Sequence, residues 1–182
     1  ALEGWLVGEF GTIYHTTDGG QNWKFVDCEL LQPETGEDEW EMPRLTLYDA
    51  YFIDRDNGFI LGVDGTMIRT EDGGTEWKLV DTPTKQSLYS IVCVDDNCWT
   101  VGQRGAYLKS TDSGNTWVSK EGTIHTKGWL TSVSFPDTNN GWVVGKAGAV
   151  FNTRDGGETW DWLSGISYDW PEFKPPKELV GE

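Results

Sequence analysis

No run of the 182 residues approaches the 18 or so consecutive apolar positions of a membrane-spanning helix, and no basic-then-apolar leader opens the chain. The chain therefore reads as soluble, either as it stands or after a leader has been removed. Basic charge is scarce. Fourteen Lys and Arg stand against 30 Asp and Glu, and the net charge of −16 repels phosphate backbones and anionic headgroups. Nucleic acid is excluded as a natural ligand, and a basic partner surface is favoured. The two histidines, His15 and His125, lie far apart and unaccompanied, which offers no imidazole cluster for a metal or for catalysis. Three cysteines are too few for a disulfide scaffold. Cys93 and Cys98 flank Val94-Asp95-Asp96-Asn97, so a hairpin there sets them opposite each other. Two readings stand: a cross-strand disulfide, which belongs outside the reducing cytosol, or two small buried thiols. Cys28 has no visible partner.

Against these shortages stand 23 glycines and 11 tryptophans. Glycine marks tight turns and the indoles supply large buried surfaces between them, a pairing suited to short strands and hairpins. Comparison of the chain with itself shows why. Gly4-Trp5-Leu6-Val7-Gly8 leads to Thr16-Thr17-Asp18-Gly19-Gly20-Gln21-Asn22-Trp23, and Gly58 to Gly62 leads to Thr70-Glu71-Asp72-Gly73-Gly74-Thr75-Glu76-Trp77. The pattern returns from Asn97 to Ser110-Thr111-Asp112-Ser113-Gly114-Asn115-Thr116-Trp117, and from Gly141 to Thr153-Arg154-Asp155-Gly156-Gly157-Glu158-Thr159-Trp160. The spacing inside each copy is rigid and the linkers absorb the variation in length.

The second copy shows the unit. Leu47 to Ile53 reads as a strand, Asp54-Arg55-Asp56-Asn57 as a turn, Gly58 to Gly62 as a second strand and Val63-Asp64-Gly65 as another turn. Thr66 to Thr70 is a third strand, and the Asp-Gly-Gly hairpin joins it to a fourth from Trp77 to Val80. Four short strands every 40 or so residues are the signature of a β-propeller blade. The expected fold is all-β, with about four blades of four antiparallel strands. Repeats occupy 1–27, 45–81, 87–119 and 129–163, with an acidic insertion at 28–44 and a proline-rich tail at 164–182.

The Ser/Thr-x-Asp-x-Gly-x-x-Trp box is a local hydrogen-bonding device. Its Asp accepts from N–H groups of the following turn, its glycine takes the positive φ, and its tryptophan folds into the apolar space between blades. Thr16, Asp18, Gly20, Trp23, Thr70, Asp72, Gly74, Trp77, Ser110, Asp112, Gly114, Trp117, Thr153, Asp155, Gly157 and Trp160 are thereby structural residues. Each box has one fixed carboxylate where a calcium site needs several oxygens, so no metal and no cofactor is implied.

The boxes resemble the Asp-box, or bacterial neuraminidase (BNR), repeat, and the fuller unit resembles the photosystem II stability/assembly factor family. The resemblance runs from residue 4 to residue 163. It implies a non-enzymatic, extracytoplasmic propeller in the periplasm, thylakoid lumen or secreted space, which binds a protein partner, basic or membrane-embedded, and assists assembly of a complex. A structural subunit of a larger complex is the near alternative, and an Asp-box glycoside hydrolase or sugar-binding module the distant one. The family has seven blades. Here the first repeat opens inside its second strand and lacks the innermost strand that the others show as Leu47–Phe52, Leu88–Cys93 and Leu130–Phe135. A propeller must close to hide its edges, so another copy, another chain or further residues are expected to complete the ring.

No residue is assigned to catalysis. The arginines Arg44, Arg55, Arg69, Arg104 and Arg154 lack the sequence context of the sialidase triad, and no pair of carboxylates can be singled out for glycoside hydrolysis. The insertion carries Glu37 and Asp38 beside Trp40, which suits docking of a basic partner. The turns between second and third strands contribute Asp64, Arg104 and Lys146 to the same expected binding face, a mixed set without a common chemistry.

Overall fold

The computed structural model describes residues 2–31 and 45–165. Among them all regular structure is strand, apart from one-turn 3₁₀ segments. The first sheet has three strands, β1 (Gly4–Val7), β2 (Ile13–Thr16) and β3 (Lys24–Phe25). The second has four, β4 (Leu47–Phe52), β5 (Gly58–Gly62), β6 (Met67–Thr70) and β7 (Lys78–Leu79). The third comprises β8 (Leu88–Val94), β9 (Asn97–Gly102), β10 (Tyr107–Ser110) and β11 (Val118–Ser119), and the fourth β12 (Leu130–Ser134), β13 (Gly141–Gly145), β14 (Val150–Thr153) and β15 (Asp161–Ser164). Each sheet is a meander in sequence order, so neighbouring strands pair antiparallel through short turns, as in propeller blades.

Local chemistry sets the strand lengths. The outermost strand has only two residues in the first three blades, shorter than Trp77 to Val80 suggested. Trp117 instead folds back and donates Nε1 to the Gly114 carbonyl at 3.1 Å. The innermost strands β4 and β12 carry a bulge at the same repeat position, between Leu47 and Asp49 and between Leu130 and Ser132. Recurrence at one position marks the bulge as part of the blade design.

The chain divides into two compact units, Ala1–Ser90 and Ile91–Glu182. In the first, Ile13, Cys28, Leu31, Leu47, Ile60 and Ile68 make one core, with Trp5, Val7 and Trp77 packed against it. In the second, Trp99, Val101 and Tyr107 of the third blade bury against Leu130, Phe135, Val143 and Phe151 of the fourth. Strand alternation explains the choice: successive side chains of the second strand point to opposite faces, so Trp99 and Val101 share one face. Cys93 and Cys98 are joined in a disulfide across the β8–β9 hairpin, their Cα atoms 4.1 Å apart, and Cys28 is a buried free thiol.

Candidate functional site

The four boxes share one geometry. Thr16 Oγ1 donates to Asp18 Oδ1 at 2.8 Å and accepts from Gly20 N at 3.0 Å, while Asn22 N donates to Asp18 Oδ1 at 2.9 Å. Asp72 Oδ1 accepts from Thr70 Oγ1, Thr75 N and Glu76 N at 2.9–3.0 Å. Asp112 takes Ser110 Oγ and Thr116 N, and Asp155 takes Thr153 Oγ1, Glu158 N and Thr159 N. These donors hold the carboxylates down. Asp18 falls to about 2 through the Asn22 amides, and Asp112 and Asp155 fall to about 2 through the hydroxyl and backbone N–H of Thr116 and Thr159. Asp72 is lowered mainly by the Glu76 N–H. Carboxylates so occupied are poor proton donors near neutrality, and the arrangement serves the turn.

Two further ties fasten each box to its blade. The N–H after the box Asp donates to a carbonyl of the turn between the first and second strands: Gly19 to Leu2, Gly73 to Asp56, Ser113 to Asp96 and Gly156 to Asn139, all at 2.7–2.9 Å. In two blades an aspartate caps that turn. Asp54 accepts from the Asp56 and Asn57 N–H groups, and Asp137 from those of Asn139 and Asn140, each at 2.8 Å. The signal was present as Asp-x-x-Asn at 54–57 and 137–140.

The box tryptophans differ in burial. Trp117 is buried, Trp77 and Trp160 are half-buried, and Trp23 is 41% exposed. No three His, Cys, Asp or Glu side chains among the described residues are grouped to hold a metal ion.

The turns between second and third strands carry the exposed chemistry. Phe10, Asp64, Arg104 and Ala147 occupy one repeat position with φ of 53–58°, each followed by a glycine of positive φ. A non-glycine residue in that region is uncommon, and its recurrence holds four side chains in one backbone frame at the edge of each blade. In the first unit the turns present Glu9, Phe10 and Asp64. In the second they present Arg104 and Lys146, with the Lys146 ammonium 3.3 Å from the Trp129 ring centroid. Beside Arg104 lies a hollow of about 270 Å³ lined by Glu121, Ile124, His125, Thr126 and Lys127. In the second unit these turns carry two cations, Arg104 and Lys146, within a chain of net charge −16. Glu37, Asp38 and Trp40 lie outside the described residues.

A cleft of about 660 Å³ in the first unit is floored by Trp5 and Phe52 and edged by Glu3, Asp54 and Arg55. Glu3 pairs with Arg55 at 3.4 Å, and Asp54 accepts the Asp56 and Asn57 N–H groups of its own turn.

Comparison with known proteins follows the same lines. The family model described as photosynthesis system II assembly factor YCF48 matches residues 32–121. The photosystem II assembly lipoprotein Ycf48 of Synechococcus sp. (strain CC9902) is 30% identical over 145 residues, covering 60% of this chain and 42% of that protein. This chain is a BNR-type propeller chain that resembles the photosystem II assembly factors. A solved structure titled YCF48 bound to D1 peptide aligns with a TM-score of 0.61 at 25% identity, over 68% of this chain and 41% of that one. The propeller chain spans about two fifths of the length of these two relatives. An ancestral GH74 enzyme aligns with a TM-score of 0.70 over 91% of this chain and 23% of that one, but at 15% identity, a likeness of fold. Among the described residues no helix is long and apolar enough to cross a membrane.

Proposed function

We propose that the chain acts as an extracytoplasmic assembly or stability factor: a rigid, non-enzymatic scaffold that holds an extramembrane segment of a membrane-protein partner against its turn edge. One observation carries the reading. Similarity to the assembly-factor family runs through residues 32–121, the stretch whose left-handed turns project Asp64 and Arg104. A related propeller is known bound to a D1 peptide, a segment of another protein. The cationic turns of the second unit suit a carboxylate-bearing segment, whereas the acidic turns of the first suit a basic one. The Cys93–Cys98 disulfide supports an oxidising compartment, and a relative is named a lipoprotein. Completion of the ring by further blades belongs to the same reading.

The saturated box carboxylates support a non-enzymatic role over the hydrolase alternative suggested by the GH74 fold. The test is fluorescence anisotropy of a labelled D1 peptide titrated with the chain. Saturable binding is expected, weakened about tenfold (about 1.4 kcal/mol) by Arg104→Ala or Lys146→Ala. Absence of binding at any concentration sinks the assembly reading; binding indifferent to both substitutions moves the site elsewhere. Release of reducing sugar from xyloglucan would instead make the chain a hydrolase.

A further inference from the structure

The hollow beside Arg104 is walled by two backbone segments of the second unit that approach closely. Arg104 stands in the left-handed region at φ 56°, Gly105 follows it at φ 77°, and an added Cβ on that glycine would strike the Thr126 carbonyl. The loop from Glu121 to Lys127 is therefore packed directly on the turn. Its own bonds hold it there: Thr123 N donates to the Lys120 carbonyl at 3.1 Å, Thr126 N to the Ile124 carbonyl at 2.7 Å, and Gly128 N to Thr126 Oγ1 at 2.9 Å. Ile124, 1% exposed, anchors the loop in the core that contains Trp99 and Leu130. Both walls are set by the fold, so a ligand entering between them pays little to order them.

These walls bring three nitrogen-bearing side chains to one opening. Arg104 comes from the turn and His125 and Lys127 from the loop, all three exposed, while Glu121 lines the same hollow and offsets one cation. Of the neighbouring lysines, Lys120 is held by Glu158 at 2.9 Å and Lys146 lies over the Trp129 ring. With a neutral imidazole, the two cations and the one carboxylate leave a single positive charge in the hollow; a proton on His125 doubles it. Histidine is the side chain whose charge ordinarily changes between about pH 5 and pH 8. At about 270 Å³ the hollow has room for one side chain of a bound segment and lies below the usual size of a pocket for a whole small ligand.

We infer that this hollow is a carboxylate-binding site whose affinity is set by the proton on His125, so that a protein segment inserting an acidic side chain here is held more tightly as pH falls. The ligand rests on the assembly reading, and the pH dependence is what the hollow adds to it. Carboxylates, lysines and arginines do not ordinarily titrate between about pH 5.5 and pH 7.5, so the imidazole is the group that changes the charge facing the ligand. One unit charge about 6 Å from a bound carboxylate, in the partly solvated setting of a surface hollow, changes affinity about three- to tenfold.

Fluorescence anisotropy of the labelled D1 peptide with the 182-residue chain, at about pH 7.5 and about pH 5.5 in about 0.05 M salt, where surface charge is weakly screened, tests the inference. The parent should bind about three- to tenfold more tightly at the lower pH. His125→Gln should lose that gain and bind at both pH values as the parent does at pH 7.5, whereas His125→Lys, which carries the charge throughout, should keep the tighter affinity at both. His15, the other histidine of the chain, is retained in each variant and serves as the internal control. The same peptide with its carboxylates amidated should show no pH response. Equal affinity of the parent at the two pH values, or a gain that survives in His125→Gln, overturns the inference and leaves the assembly reading standing. A gain that persists with the amidated peptide overturns it too, as does a His125→Lys chain that binds no more tightly than His125→Gln. Absence of binding at either pH takes down both readings together.

Discussion

Trp99 and Trp142 occupy the same repeat position on the same strand, and the structure assigns them opposite energetic weights. Trp99 is fully buried, lies parallel to Phe135 with centroids 3.7 Å apart and donates Nε1 to the Gly156 carbonyl. A buried indole removes about 200 Å² from water, which at about 25 cal/mol per Å² is about 5 kcal/mol. Large-to-small replacements at aromatic core sites cost about 3–5 kcal/mol, so area and mutational experience agree. Trp99→Phe keeps the stack on Phe135 but orphans the Gly156 carbonyl and leaves part of the indole volume empty, at about 1.5–3 kcal/mol. Trp142→Ala, at 41% exposure, removes less buried area and no cross-blade hydrogen bond, and should cost about 1–2 kcal/mol. The assay is urea unfolding of the two variants and the parent, followed by far-UV circular dichroism. Because the chain has two compact units, the transition assigned to Ile91–Glu182 must be fitted separately. Equal losses at Trp99→Ala and Trp142→Ala would refute the reasoning, since repeat position, and not the neighbouring blade, would then set the contribution of the indole.

Three other outcomes follow from the same geometry. Replacing Cys93 and Cys98 together by serine opens a six-residue loop, and the chain-entropy relation gives a loss of about 2 kcal/mol, readable as a lower urea midpoint that reductant does not lower further. The box aspartates Asp18, Asp112 and Asp155 sit at about 2 in the folded chain against 3.8 when free. The unfolded chain therefore binds more protons over that interval, and the box contribution is complete above about pH 4 and lost as pH falls toward 2. Thermal melts should drop across that window; a melting temperature flat from pH 5 to pH 2 would remove the boxes from the stability argument. Gly157→Ala combines a φ of 84° with a collision against the Tyr107 hydroxyl, whereas Gly122→Ala has a similar φ of 86° in open space. The second should cost about 1–2 kcal/mol from backbone strain alone and the first clearly more, as denaturant midpoints will show.

The blade pattern was legible because its determinants are local. Asp72 finds its donors three and four residues ahead, so the box announces itself within an octapeptide. The turn at Val63-Asp64-Gly65 was legible as a turn, but not its left-handed Asp64, because the glycine beside it hides which residue carries the strain. Arg104 and Lys146 were visible as charges; that each sits in or beside a left-handed turn position emerged only with the backbone angles. The Cys93–Cys98 pairing needed the β8–β9 register, since spacing alone allows both a bridge and two thiols.

By itself the sequence determined the all-β class, the four repeats and the hydrogen-bonding role of the boxes. Each of these depends on bonds between residues a few positions apart, and such bonds form wherever the segment is placed. Only the tertiary structure decided which indoles are buried. Trp99 and Trp142 read alike in the chain; one meets the Gly156-Gly157 box of the next blade and the other meets solvent. Burial is a property of the neighbour, and the neighbour lies about 50 residues away along the chain, beyond the reach of any local pattern.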